Sequence, residues 1–286
     1  MRETATEEPT VLTVGATTFE LPGGVVVDDG RRLAETELRP LSGREEEWLV
    51  ETRQLPNAHA VTAVLGACIV RVGDVPGSRE LARRMLIGDR DYAMLQLRRL
   101  TFGESIVAVF VCPACDAKMD TTFETPDIPV ERRPQAATCY SVHLDAGGCE
   151  RTLRIRLPTG ADQEAVAGQD SEAAVDELLR RCVLDHDPRD LSEMDRASLI
   201  DAMEGLAPQV ELELELVCPE CHAAFLAPFD CAGFFLDEVR TGSRTLVREI
   251  HELAFNYHWS KAEILTLTRA QRRAYLALIS DARRQD

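Results

Sequence analysis

Four of the nine cysteines in this 286-residue chain stand in two matching pairs, Cys112-Pro113-Ala114-Cys115 and Cys218-Pro219-Glu220-Cys221. Each pair follows a strand-like run, Ser105–Val111 or Val210–Val217, and precedes a short apolar segment, Met119–Phe123 or Ala223–Phe229. Strand, Cys-Pro-x-Cys, strand is the pattern of a zinc knuckle, in which a tight turn aims two thiolates at one point. Two knuckles supply the four ligands of a closed tetrahedral site. The expected metal is a structural Zn2+ held by Cys112, Cys115, Cys218 and Cys221. Either one ion is shared, or each pair completes a separate site with other ligands. His222 is the nearest such ligand, although two adjacent residues reach one ion awkwardly. A thioredoxin-type redox pair would need a helix beginning at its first cysteine, and both pairs lie between strands. Four thiolates leave no open coordination position, so the spacing predicts a binding protein and not an enzyme.

The remaining candidates carry blander readings. Cys68 and Cys182 fall on apolar helical faces and read as small core residues. Cys139 and Cys149 flank an expected hairpin, Tyr140–Gly148, and read as free thiols; Cys231 packs in a turn after Phe229. His251 and His258 are seven residues apart, with Trp259 beside them, and read as a packed helix junction. Asp89 and Asp91 are expected to cap the following helix, with Arg90 in local ion pairs. Arg269, Arg272 and Arg273 read as a solvated basic face. The chain shows no Ser/His/Asp order, no phosphate-binding glycine loop and no His-Glu metal motif.

A formal charge of −17 disfavours attraction to nucleic-acid phosphates or anionic membranes. No stretch approaches a membrane-spanning length, and the N-terminus lacks a basic start followed by an apolar core. The expected location is therefore the cytoplasm, where paired cysteines favour metal over disulfides.

The knuckles belong to a longer repeat. Glu37–Arg44 resembles Leu153–Gly160. A helix ending in a cysteine follows each: Val61, Val64, Leu65, Cys68 and Ile69 in one, Ala174, Val175, Leu178, Leu179, Cys182 and Val183 in the other. Further helices at 79–86 with 91–100, and at 191–206, lead into the knuckles. The offset between copies drifts from 117 at the glycines to 114 at the helix cysteines and 106 at the knuckles. The expected fold is α+β: two related half-domains, each with a zinc-knuckle hairpin, and a C-terminal helical segment. The divisions fall at 1–20 (flexible tail), 21–130, 131–236 and 237–286. In the last, Leu246, Val247, Ile250, Leu253, Ala254 and Tyr257 form an apolar stripe, and helices are expected at 243–257, 260–266 and 269–283. A pseudo-two-fold relation would bring the two cysteine pairs together across the 102 residues between them.

Two blocks of residues carry a family resemblance. One is Leu86-Ile-Gly-Asp-Arg-Asp-Tyr92, Leu97-Arg98 and Leu100-Thr-Phe-Gly103 with the first knuckle. The other is Phe234–Val239, Glu249–Ala254, Tyr257-His-Trp-Ser260, Glu263-Ile-Leu265, Arg272-Arg273 and Tyr275-Leu276. Together they resemble the baseplate hub assembly chaperones of T4-like contractile phage tails and related contractile injection systems. The likeness covers most of the chain after about residue 25, and His258-Trp259-Ser260 is its most specific part. It implies an assembly chaperone or structural component binding baseplate hub or spike proteins. The alternative is a zinc-ribbon protein of nucleic-acid or transcription complexes, for which Arg269–Arg273 is the one candidate surface.

Overall fold

The computed structural model describes residues 15–133, 137–146, 149–210 and 213–285. The chain opens with an antiparallel hairpin, β1 (Thr17–Val26) and β2 (Arg32–Leu38), turned at Gly30 with φ +84°, as the Asp29-Gly30 pair favours. Helices α1 (Gly43–Glu51) and α2 (Asn57–Cys68) follow, and β3 (Ile69–Val72) returns beside β2, with β4 (Val75–Pro76) at the edge. Next come α3 (Arg79–Arg84), α4 (Ile87–Phe102) and the first knuckle hairpin, β5 (Ser105–Val111) with β6 (Lys118–Glu124). A short β7 (Val130–Glu131) links to the second half.

That half repeats the order: β8 (Tyr140–Ala146) and β9 (Cys149–Ile155), α5 (Gly160–Ala165), α6 (Ser171–Cys182), a 3-10 turn at Pro188–Asp190, and α7 (Glu193–Leu206). Strand β10 (Gln209–Val210) pairs with β7, and β11 (Glu213–Val217) with β12 (Ala224–Pro228) forms the second knuckle. Helices α8 (Cys231–Thr241), α9 (Ser243–Tyr257), α10 (Lys261–Ile264) and α11 (Arg269–Gln285) complete the chain. The expected α+β fold is present, with small antiparallel sheets, two knuckle hairpins and C-terminal helices.

The duplication extends to individual hydrogen bonds. Helices α1 and α5 each begin with a capping box, Ser42 with Glu45 and Thr159 with Asp162. An arginine six residues before the acid grips it in both copies, Arg39 on Glu45 and Arg156 on Asp162. The same two arginines donate their backbone N–H to the carbonyls of the helix-ending cysteines, Arg39 to Cys68 at 3.0 Å and Arg156 to Cys182 at 2.9 Å. Burial alone pushes the Asp162 carboxyl up. The Arg156 fork, the Thr159 N–H and Arg181 outweigh that and hold it well below the usual carboxylate range. Cys68 and Cys182 are buried, as the periodicity predicts, and burial pushes the Cys68 thiol up to about 12.

One large core spans the first sheet, α1 to α4 and α8, where Ala232, Phe235, Leu236 and Val239 join Leu38, Leu65 and Leu97. The 236/237 division therefore falls inside a helix. Arg98, almost fully buried, fastens α8 to α4 through a two-toothed contact with Glu238 at 3.1 Å. A second core lies between β8, β9, α6 and α7. Residues 17–20, placed in the polar tail by sequence, are the start of β1: Thr17 pairs with Leu38 and Glu20 with Glu35. Residues 1–14 lie outside the described residues. So do positions 147–148 at the tip of the expected Tyr140–Gly148 hairpin.

The C-terminal helices match the expected spans closely; of the three arginines read as a solvated face, Arg273 is exposed and the other two are not. Arg272 is fully buried, with its guanidinium on Glu46 of α1 at 2.8 Å and Glu249 of α9 at 2.7 Å. Arg269 stacks over the Phe102 ring at 4.7 Å. Of the apolar stripe expected from sequence, Val247 is 66% exposed, whereas Leu246 and Leu253 are buried. Asp89 and Arg90 also depart from expectation. Asp89 Oδ1 accepts from the Gly23 N–H at 2.7 Å, across the bulge of β1. Arg90 is buried and donates to the carbonyls of Ala82 and Ala58 and to the Thr62 hydroxyl. Neither is a local helix cap or ion pair, because tertiary packing removes both from water.

Burial pushes the Asp91 carboxyl up to about 7; nearby Asp230 adds to this and Arg90 opposes it. An unfolded aspartate titrates near about 4. The stability linked to this group is therefore complete below that pH and is lost as pH rises through about 7. Asp91→Asn is expected to raise the melting temperature at pH 8 and leave it unchanged at pH 4. Thermal melts at both values check this; an equal gain at both would contradict it.

Candidate metal centre

Each knuckle is shaped by its backbone before any ligand enters. In the first, the Cys112 N–H donates to Ala117 O and the Asp116 N–H to Cys112 O, both at 2.9 Å. In the second, the Cys218 N–H donates to Ala223 O at 2.9 Å and the His222 N–H to Cys218 O at 3.0 Å. The residue after each second cysteine takes the left-handed conformation, Asp116 at φ 57° and His222 at φ 58°. Aspartate and histidine are among the few side chains that tolerate it. His222 is thus the turn residue of its knuckle, matching Asp116 of the other.

The two knuckles meet. Cys112 Sγ lies 3.6 Å from Cys221 Sγ, and Cys115 Sγ lies 3.6 Å from Cys218 Sγ. All four sulfurs are within 4.8 Å of one another. A regular tetrahedron with metal–sulfur bonds of about 2.3 Å has sulfur–sulfur edges of about 3.8 Å. The four thiols therefore fit one shared ion. Among the described residues they form the only group of three or more His, Cys, Asp or Glu side chains placed to hold a metal.

The surroundings exclude water from Cys112 and Cys218 and aim N–H donors at the same two sulfurs. Cys112 and Cys218 are fully buried, while Cys115 and Cys221 form the exposed rim. Met119, Phe110, Leu216 and Phe225 pack against the buried pair. The Ala114 N–H donates to Cys112 Sγ at 3.4 Å. The N–H groups of Cys221 and Glu220 draw the Cys218 thiol down to about 7. Cys115 is pushed up to about 12: the Ala117 N–H favours its thiolate, but the other three sulfurs compete for the same charge. Four thiols this close cannot all ionise unless a cation sits among them.

The other sequence candidates do not join this centre. Cys231 begins α8 and is buried, with its thiol pushed up to about 12 by burial. Cys139 is partly buried at the start of β8, and the side chain of Cys149 lies outside the described residues. His251 stacks on Phe255 on the outside of α9, whereas His258 takes the left-handed cap of that helix at φ 57°. Trp259 stacks on Tyr257 and meets Tyr275 edge-on, closing the small core of α9, α10 and α11.

Titration of the reduced protein with Co2+ is expected to saturate at one ion per chain with the absorption of a tetrahedral four-sulfur complex. Cys115→Ser or Cys221→Ser should weaken binding by at least 10-fold and lower the melting temperature. Saturation at two ions would contradict a shared centre.

No curated protein and no solved structure matches the chain. A family model described as T4 bacteriophage base plate protein matches residues 17–185, from β1 through the first knuckle to the end of α6. The second knuckle lies beyond the matched residues. The match spans more than half of the sequence, and the chain belongs to the T4 bacteriophage base plate protein family.

Proposed function

We propose that this protein is an assembly chaperone or structural component of the baseplate hub of a contractile injection system. It works by binding hub or spike proteins and carries a structural Zn2+ on Cys112, Cys115, Cys218 and Cys221. Four thiolates in a tetrahedral array are the donor set of structural zinc, and they leave no position for a substrate. This donor set supports reading the protein as a binder and not an enzyme. Its working place is the cytoplasm, where the thiols stay reduced. Among the described residues, no helix is long and apolar enough to cross a membrane.

Family membership supports the baseplate role, and one surface supports action by binding. Val247 and Phe255, eight residues apart on α9, are 66% and 72% exposed, with His251 between them. The opposite side of α9 is committed to the interior through Leu246, Glu249 and Leu253. An apolar stripe with a separate buried face is what a partner would cover. The nucleic-acid reading keeps only Arg273 of its three candidate arginines on the surface, because Arg272 is enclosed by Glu46 and Glu249 and Arg269 lies on Phe102.

The double variant Val247→Glu, Phe255→Glu is expected to lose co-purification with hub and spike proteins. It should keep its metal and its melting temperature, since both positions face outward. Unchanged co-purification would contradict the proposal. Removal of 243–286 is a poorer probe, because it strands Glu46 in the main core without Arg272.

A further inference from the structure

A second repeat runs through the chain, and one of its three copies is uncovered. Helix α3 turns into α4 at an elbow. Leu86 precedes α4, and Arg90, four residues on, is fully buried. The same elbow recurs 182 residues later between α10 and α11, with Thr268 and the fully buried Arg272. It recurs 106 residues after the first between the Pro188–Asp190 turn and α7, with Ser192 as cap and Arg196 four residues on.

Two of these elbows hold a helix start from another part of the chain. The α3–α4 elbow receives α5: the Gly160 N–H donates to Met85 O at 2.9 Å, and Leu86 bridges Thr159. The α10–α11 elbow receives α1: the Gly43 N–H donates to Leu267 O at 3.0 Å, and Ser42 bridges Thr268. Glycine is required in both guests. A Cβ at Gly160 would overlap the Arg90 guanidinium, and one at Gly43 would lie 2.9 Å from Leu265. A glutamate five residues past the cap completes each contact. Glu164 meets Arg83 at 2.9 Å, and Glu47 meets Lys261 at 2.7 Å.

The third elbow has the same parts without the guest. In all three copies the elbow arginine reaches the preceding long helix: Arg90 to Thr62, Arg272 to Glu249, Arg196 to Asp176. Arg196 and Asp176 keep 26% and 53% exposure, against full burial of Arg90 and Arg272. Arg189, on the short turn where the guest's glutamate would arrive, is 84% exposed. Met194, on the first turn of α7, is 63% exposed. Of the equivalent positions, Ala270 lines a cleft with its guest's Pro40-Leu41 pair, and Gly88 lies against Pro208, next to Ile87, whose N–H donates to Pro158 O of the other guest. No hydrogen bond to Leu191 O, the counterpart of Met85 O and Leu267 O, is found among the described residues.

We propose that the Pro188–Arg196 elbow docks a helix start on a different subunit of the baseplate. The guest is of the type Arg, two residues of Leu or Pro, Ser/Thr-Gly-x-Asp/Glu-x-Glu. This type is written twice in the chain, as Arg39–Glu47 and Arg156–Glu164, and both are already seated. The segments outside the described residues contain no Ser-Gly or Thr-Gly pair, so they supply no third guest. The succession is head-to-tail: the C-terminal elbow holds the first half, the first holds the second, and the second is open.

The inference rests on the baseplate reading only for where the partner is sought. The test places a photo-cross-linking amino acid at position 194 of the full-length protein, and separately at position 255, in cells assembling the particle. The linked peptides are then sequenced. Position 194 is expected to capture another baseplate subunit at a Ser/Thr-Gly helix start. Arg189→Glu should lower that yield at least fivefold and leave position 255 unaffected. A link from 194 to a second copy of this chain, to a peptide without that pattern, or to nothing would overturn the inference. Capture of hub or spike proteins at 255 would then keep the functional proposal standing separately.

Discussion

The meeting of two knuckles from distant parts of the chain is the constraint on which the arrangement turns. Bringing together points about 100 residues apart costs roughly 4–5 kcal/mol of chain entropy. Four crowded thiols add repulsion as they ionise. Thiolate zinc sites release about 10–16 kcal/mol on binding, more than enough to offset that cost. Phe110, Met119, Leu216 and Phe225 pack beneath the buried sulfurs, and Phe110 and Phe123 meet Phe229 at the base of the hairpins. With an ion bound, the centre would act as a clasp between the two copies of a duplicated unit.

Away from the clasp, the copies are joined by a different device. A capped, glycine-led helix start sits in an elbow over a buried arginine. The guest's capping acid is gripped by its own arginine, and its backbone N–H is satisfied by the host's carbonyl. Buried polar groups stay inexpensive only when every partner is present. That explains why Arg272 needs Glu46, Glu249 and Leu267 O together. Removing either carboxylate would leave charge stranded in the interior, at a cost of about 3–5 kcal/mol.

Much of this was legible in the sequence, for identifiable reasons. The Cys-Pro-x-Cys turns are local, so the knuckles and the strands flanking them could be read directly. The C-terminal helices could be read from Ser260 with Glu263 and Thr268 with Gln271, whose caps depend on spacing alone. Long-range burial was not legible. Arg90, Arg98 and Arg272 look like surface residues until packing encloses them, and Asp89 serves a glycine 66 residues away. The spacing of 182 between Arg90 and Arg272 was present in the sequence, but nothing local marks either arginine as buried. Val247 reads as one stripe with Leu246, but the helical angle between them turns it outward.

The central claim is that one ion, bound only by sulfur, joins the two halves. X-ray absorption at the zinc edge of the full-length protein, with the metal content of the same sample, tests it most directly. The account predicts one zinc per chain with four sulfur neighbours at about 2.3 Å. A first shell containing nitrogen or oxygen, or two ions per chain, would contradict it.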